Sequence, residues 1–301
     1  MYEALAAEAK KLGSDVEYNA SMSKYTSFKA GGKADLLVTP DSISSLREII
    51  AFCKANAIHY FILGNGSNVL VRDSGIDGAV IRLGAKLSKI ALKDENTIIA
   101  EAGASLKSIC MFALEHSLTG LEFAYGIPGT LGGAVYMNAG AYGGEMKDVL
   151  YSVSHIDSEG NFGTLTKDEL DLSYRHSVYS ENGFTVTSAE IVLQKGNYDD
   201  IKAKMNELMS KRKEKQPIEF PSAGSTFKRP EGYFAGTLIE ECGLKGKAIG
   251  GAEVSTKHAG FIINKNKATA TDILDLIKFV QDMVFEKHGV QLEPEVKIIG
   301  R

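Results

Sequence analysis

AYGIPGTLGGAVYMNAGAYGGE, Ala124 to Glu145, is the stretch of sequence from which the fold can be argued. Glycine has no Cβ, so a glycine-dense backbone can turn sharply and let several N–H groups converge on a ligand. Such converging donors suit the pyrophosphate of a dinucleotide. Thr130 can add a hydroxyl donor. Working outward, a second glycine-bearing loop, LGNGSNVLV (Leu63 to Val71), follows a strand-like run, and Asn65, Ser67 and Asn68 supply side-chain donors. Neither loop ends in the Gly-Lys-Ser/Thr of a Walker loop. Neither has the strand–loop–helix setting of a Rossmann fingerprint. One such loop alone reads as a tight turn. Two of them, separated by a single β-α unit, read as a phosphate cradle. TSFKAGG (Thr26 to Gly32) adds a third short turn.

The bulk properties narrow the class. The chain has 301 residues, enough for two or three domains. Hydrophobic residues make up 44% and charged residues 24%, an ordinary balance for a folded soluble protein. The net charge of −4 disfavours a nucleic-acid partner, which needs a concentrated basic surface. Cys53, Cys110 and Cys242 are far apart and form neither a disulfide framework nor a CxxC pair. They read as free thiols in a reducing compartment. The opening MYEALAAEAKKLG reads as a short amphipathic helix rather than a signal segment. No apolar run approaches the roughly 20 residues of a membrane span. The expectation is a cytoplasmic protein without membrane contact, and a monomer.

Periodicity supplies the elements. Ile43, Leu46, Ile49, Ile50 and Cys53 follow helical spacing after a Thr-Pro-Asp-Ser start. HYFILG (His59 to Gly64), GAVIRL (Gly78 to Leu83) and NTIIAEAG (Asn96 to Gly103) read as strands. SLKSICMFALEHSLTG (Ser105 to Gly120) reads as a helix closed by its glycine. VLYSVSHID and TVTSAEIVLQ alternate like strands. Helices are expected over Asp199–Lys215, with an Ile201, Met205, Leu208, Met209 stripe, and over Ala270–Gly289. GFIINK and the tail QLEPEVKIIG are further strand candidates. Periodicity alone supports an α+β or α/β protein of two or three parts.

TSFKAGG, LGNGSNVL and the Ala124–Glu145 segment together resemble the FAD-binding domain of the vanillyl-alcohol-oxidase-like flavoprotein superfamily. SYRHS (Ser173 to Ser177), PSAGSTFKRP (Pro221 to Pro230) and LEPEV (Leu292 to Val296) extend that likeness. Within the superfamily the chain is similar to the UDP-N-acetylenolpyruvoylglucosamine reductase family, in its shorter class. That resemblance implies an α+β fold with a two-part FAD-binding domain of the vanillyl-alcohol-oxidase/PCMH type, here residues 1–84 and 85–196. A C-terminal α+β substrate-binding domain follows, residues 197–301. It implies non-covalent FAD, with Asn65, Gly66, Ser67, Asn68, Gly126, Pro128, Gly129, Thr130, Gly132, Gly133, Asn138 and Gly140 as its contacts. NADPH is the implied reductant and UDP-N-acetylglucosamine enolpyruvate the implied substrate.

The chemistry so implied adds a hydride to the enolpyruvyl methylene and a proton to the other alkene carbon. Charge then builds on the substrate carboxylate, so the site needs a cation or donors there and an acid on one face. Arg175 is the candidate for the carboxylate, since a guanidinium engages both oxygens and stays charged. Ser225 resembles the family's proton donor, although an unaided hydroxyl is a weak acid. Glu295 resembles the third catalytic residue and is preferred to Glu293 on the family match. Lys215 and Lys228 are candidates for the diphosphate, and Tyr142 for the flavin or substrate edge. Arg229 stands where some members carry asparagine. Longer members insert a tyrosine-bearing loop between the arginine and serine segments, for which this chain has no room. His59, His116, His155, His176, His258 and His288 show no metal-ligand spacing, so no metal is expected. Two rival readings use the same flavin loops: an alcohol-oxidising flavoenzyme and a non-catalytic flavin or sugar-nucleotide binding module.

Overall fold

The computed structural model describes residues 1–301. Helix α1 (Tyr2–Lys11) turns Leu5, Ala6 and Ala9 inward, three residues at helical spacing that are buried. Helix α2 (Ile43–Ala55) starts at a reciprocal capping box. Ser42 accepts from Ser45 N, and the Ser45 hydroxyl accepts from Ser42 N. Its Leu46, Ile49, Ile50 and Cys53 face the core, as their spacing predicts.

These helices belong to the first of two compact units, made of Met1–Glu17, Leu36–Asn65 and Gly78–Lys211. A four-stranded sheet runs in the order Asp15–Ser21, Lys33–Thr39, Ile76–Arg82, Tyr60–Leu63. Its last two strands are parallel. The chain leaves this unit after Glu17 and re-enters it at Leu36 and at Gly78, each time inside one of these strands. A five-stranded antiparallel sheet follows, ordered Phe162–Thr166, Leu150–Ile156, Thr185–Val192, Thr97–Glu101, Ile90–Leu92. Helices α3 (Leu106–Glu115) and α4 (Leu131–Tyr136) help to build one apolar core with it, which Ile201 and Met205 of α5 (Tyr198–Lys215) complete. Helix α3 stops earlier than its sequence suggests. Ser117 takes the left-handed conformation (φ 53°), and Leu118–Thr119 then pair with Gln194–Lys195, so Gly120 lies beyond the helix.

The second unit comprises Tyr18–Asp35, Gly66–Asp77 and Arg212–Arg301. Its core gathers Phe28 and Leu70 with Leu238, Ile239, Val254 and the inner face of α7 (Ala270–His288). Helix α6 (Ala235–Glu241), absent from the sequence reading, is short and lacks a side-chain cap. Three antiparallel strands, Ala248–Ile249, Ala252–Val254 and Ile262–Asn264, form a small sheet. The tail forms a strand only over Lys297–Ile299, where it pairs in parallel with Val69–Val71. The segment before it carries Pro294, which cannot donate to a ladder. No helix in the chain is long and apolar enough to cross a membrane.

Two distant contacts hold this discontinuous unit. The Asn264 amide donates to Phe28 O at 2.8 Å. Asp73 caps α7 from outside the helix, accepting from Ala270 N (2.8 Å), Thr271 N (2.8 Å) and the Thr271 hydroxyl (2.7 Å). Partial desolvation pushes the Asp73 carboxyl up, but the Thr271 hydroxyl and the two backbone donors outweigh it and hold the group below its ordinary range. A carboxylate whose folded pKa is depressed adds stability above the ordinary aspartate value, lost as pH falls through the folded value. Asp73→Ala is therefore expected to cost about 1 kcal/mol at neutral pH in urea unfolding. The gap between variant and wild type should close on acidification below about pH 4.

Candidate active site

In the first unit, the start of the second-named loop and the Ala124–Glu145 segment come together. The Asn65 amide donates to Pro128 O at 3.2 Å. Gly64 passes so close to Thr130 that a Cβ there would lie 2.3 Å from Thr130 Oγ1. Thr130 is the N-cap of α4 and only 3% exposed, yet its hydroxyl makes no cap hydrogen bond. A threonine at this position ordinarily accepts from the second or third helical N–H. The first two helical donors are already taken: Leu131 N reaches Ala104 O and Gly132 N reaches Ala102 O, both at 2.8 Å. Of the glycines expected to meet a phosphate, Gly132 thus has its N–H engaged within the protein, while Gly133 lies exposed at the next position.

The far end of α4 reaches the SYRHS segment. Asn138 sits just past the helix with φ 40° and is 1% exposed. Its amide donates to Glu145 Oε2 (2.8 Å) and to Ser173 O (3.0 Å), and its carbonyl accepts from Lys147 N (2.9 Å). Ser173 N to His176 O and His176 N to Ser173 O, both 3.2 Å, close a two-residue turn. Tyr174 and Arg175 form its tip. Arg175 adopts φ 56°, a left-handed conformation that costs a side-chain-bearing residue roughly 1–2 kcal/mol. Its guanidinium carbon lies 5.1 Å from the centroid of the exposed Tyr174 ring. His176 is held by Asp171 Oδ2 and Ser180 Oγ, each at 3.1 Å, in keeping with a structural role. Tyr142 is 45% exposed, at the tip of the small hairpin that pairs Gly140–Ala141 with Gly144–Glu145. Asn138, Gly140, Tyr142 and Arg175 thus share one unit.

The second unit gathers Gly66, Ser67, Asn68, Ser225, Lys228 and Glu295. Gly66 adopts φ +60°, and a Cβ there would lie 2.2 Å from Tyr25 O, so no larger residue fits without moving backbone. The GSTFK and EPEV segments pair antiparallel. Glu295 N donates to Thr226 O and Lys228 N to Glu293 O, both at 2.8 Å, around a Phe227–Pro294 bridge. Ser225 and Glu295 are thereby held on adjoining extended segments, Ser225 exposed and Glu295 half-buried. Thr226, 1% exposed, anchors the pair through Thr226 N to Gly260 O (2.8 Å) and Ile262 N to Thr226 Oγ1 (3.0 Å). The only sequence signal for that anchor is its place beside Ser225. Asn68 donates to Glu295 O at 3.2 Å. Lys228 pairs with Glu293 Oε2 at 3.0 Å in a solvent-accessible contact. Such a pair is weak enough for an anionic ligand to displace. Lys215 is exposed near the end of α5.

Residues 34–166 match the model of an FAD-binding domain family. Residues 216–299 match the family model described as the UDP-N-acetylenolpyruvoylglucosamine reductase C-terminal domain. The chain is 56% identical over 286 residues to the UDP-N-acetylenolpyruvoylglucosamine reductase of Clostridium novyi, covering 95% of this chain and 92% of that one. The chain belongs to the UDP-N-acetylenolpyruvoylglucosamine reductase family. The member from Caldanaerobacter subterraneus subsp. tengcongensis is 54% identical over 94% of the chain and 93% of its own length. The crystal structure of the reductase from Thermus caldophilus superposes with a TM-score of 0.81 at 36% identity, covering 95% of this chain and 98% of that one. An alkyldihydroxyacetonephosphate synthase shares only the fold, with a TM-score of 0.50 at 15% identity over 65% of this chain and 41% of that one. The fold is that of a PCMH-type FAD-binding domain joined to the reductase C-terminal domain.

The residues present fit a flavin dinucleotide. In the first unit Gly64 lets the backbone pass close against Thr130, which keeps a hydroxyl without a cap bond beside the exposed Gly133. Because that hydroxyl makes no cap bond, removing it should not weaken the empty protein. Thr130→Val is expected to lower FAD affinity roughly 2- to 10-fold, the worth of one hydrogen bond. Thermal unfolding of the flavin-free variant should match wild type. Flavin-fluorescence titration and a melting curve of the stripped protein check both halves.

Proposed function

We propose that this chain reduces UDP-N-acetylglucosamine enolpyruvate to UDP-N-acetylmuramate at the expense of NADPH, supplying precursors for peptidoglycan. The observation that carries this is the 56% identity to a UDP-N-acetylenolpyruvoylglucosamine reductase across 95% of the chain. Bound FAD supplies the relay of a hydride from NADPH to the enolpyruvyl double bond. The protein's own residues bind, orient and protonate. Asn65 to Asn68 and Gly126 to Gly133, with Gly140, hold the cofactor. Residues 1–84 and 85–196 serve the flavin, and 197–301 serve the sugar nucleotide.

Arg175 takes the substrate carboxylate, where negative charge grows as the methylene carbon receives hydride. The positive-φ turn that carries Arg175 supports this, because strained side-chain-bearing residues cluster at functional positions. Ser225 delivers the proton to the other alkene carbon, and its exposed position beside the anchored Thr226 suits a donor that must be reached and yet held still. Glu295 hydrogen-bonds the developing enediolate. Lys215 and Lys228 meet the diphosphate, and Tyr142 lies at the flavin or substrate edge. We place the enzyme in the cytoplasm as a monomer, since both nucleotide substrates are soluble phosphorylated metabolites, and link it to cell shape and division through the wall precursor it makes. It has no nucleic-acid partner in this reading, in line with its net charge of −4.

Ser225→Ala tests the assignment by splitting the reaction in time. Flavin reduction by NADPH should stay within about twofold of wild type, while reoxidation by the enolpyruvyl substrate should fall roughly 10²- to 10⁴-fold, the usual loss of a general acid. Stopped-flow absorbance of the bound flavin reads both phases. Equal losses in the two phases would remove Ser225 as the proton donor.

A further inference from the structure

Asn138 does more than end a helix. Its N–H reaches Val135 O (3.1 Å), and the next N–H, that of Ala139, reaches Ala134 O (2.8 Å). This is the paired bonding by which helices close on a left-handed residue, a position that glycine fills at least cost and asparagine next. Both bonds are made by backbone, so the helix would stop equally well with glycine there. The asparagine side chain is free for another task, and at 1% exposure both its donors and one acceptor site of its carbonyl are engaged.

The acceptor that matters is Ser173 O. That same carbonyl accepts from His176 N and so closes the turn with Arg175 at its tip. A second tie lies just past the turn, where the fully buried Ser177 donates its hydroxyl to Tyr136 O at 2.9 Å. The turn is therefore hung from the C-terminal end of α4 at both of its sides. Those ties, together with the turn's own Ser173–His176 bonds, hold Arg175 in the left-handed region against its intrinsic preference.

We propose that Asn138, on the sequence reading a cofactor contact, is a positioning residue that fixes Ser173 O and thereby aims the Arg175 guanidinium at the substrate carboxylate. The inference rests on the role proposed above for Arg175. The FAD-loaded enzyme carrying Asn138→Gly keeps the left-handed helix end and loses only the side-chain bonds. Its binding is compared by calorimetry for two probes, UDP-N-acetylmuramate, which bears the carboxylate, and UDP-N-acetylglucosamine, which lacks it.

Asn138→Gly is expected to weaken the carboxylate-bearing probe at least 10-fold and the other less than 2-fold. In the Arg175→Ala background the same substitution should add less than 2-fold. Should Asn138→Gly fail to fold, Asn138→Asp, of equal size and with acceptors where the donors were, must show the same selectivity. Equal weakening of both probes, or full additivity with Arg175→Ala, overturns the proposal. If Arg175→Ala binds the carboxylate-bearing probe like wild type, the reading of Arg175 fails on its own, and the positioning role falls with it.

Discussion

The hydrogen bonds from Leu131 N to Ala104 O and from Gly132 N to Ala102 O, both 2.8 Å, set the start of a six-residue helix against the end of a sheet strand. A helix this short has little stability of its own. Its position comes from those bonds and from burial of Leu131, Ala134 and Val135 in the core of the first unit. Once α4 is fixed, both of its ends are fixed. One end holds Thr130, whose hydroxyl makes no cap bond, and the other holds Asn138 and the Arg175 turn. The glycine-rich loop and the Arg175 turn are thus anchored at the two ends of one short helix. Strain at Arg175 and the close approach at Gly64 are tolerable because the surrounding hydrogen bonds determine those conformations.

The second unit solves the same problem without a helix. Ser225 and Glu295 come from segments far apart in the chain, and the antiparallel bonds between Thr226–Lys228 and Glu293–Glu295 set them side by side. Thr226, buried and bonded at N–H, carbonyl and hydroxyl, ties the pair to Gly260 and Ile262. The charged partners around it, such as Lys228 and Glu293, are solvent-accessible and contribute little to the fold. The buried neutral bonds hold the frame.

Elements with a long, regular apolar period were legible directly. The face of α2, the span of α7 and the strands around Ile98, Val153 and Ala189 lie where the sequence places them. Elements whose limits are set by partners were not. Helix α6 is seven residues long and has no cap signal. Helix α3 ends at Glu115 because the next strand pairs with Gln194–Lys195, and no local residue announces that pairing. The assignment of Tyr18–Asp35 and Gly66–Asp77 to the same compact unit as Arg212–Arg301 was likewise invisible, since bonds such as Asn264 to Phe28 O join residues far apart in sequence.

The sequence by itself determined which chemistry-bearing residue types exist and in what order: the glycine-rich loops, SYRHS, GSTFK and EPEV. Those are local patterns, and local patterns are readable because glycine, proline and charge act on their own few neighbours. Only the tertiary structure decided which partners each residue bonds within the protein. The Ala124–Glu145 segment offered Asn138 and Gly132 as ligand contacts. Folding committed the Gly132 N–H to Ala102 and the Asn138 amide to Ser173, Glu145 and Lys147. A hydrogen-bonding group has fixed capacity, and which partner takes it depends on chain segments that meet only when the protein is folded.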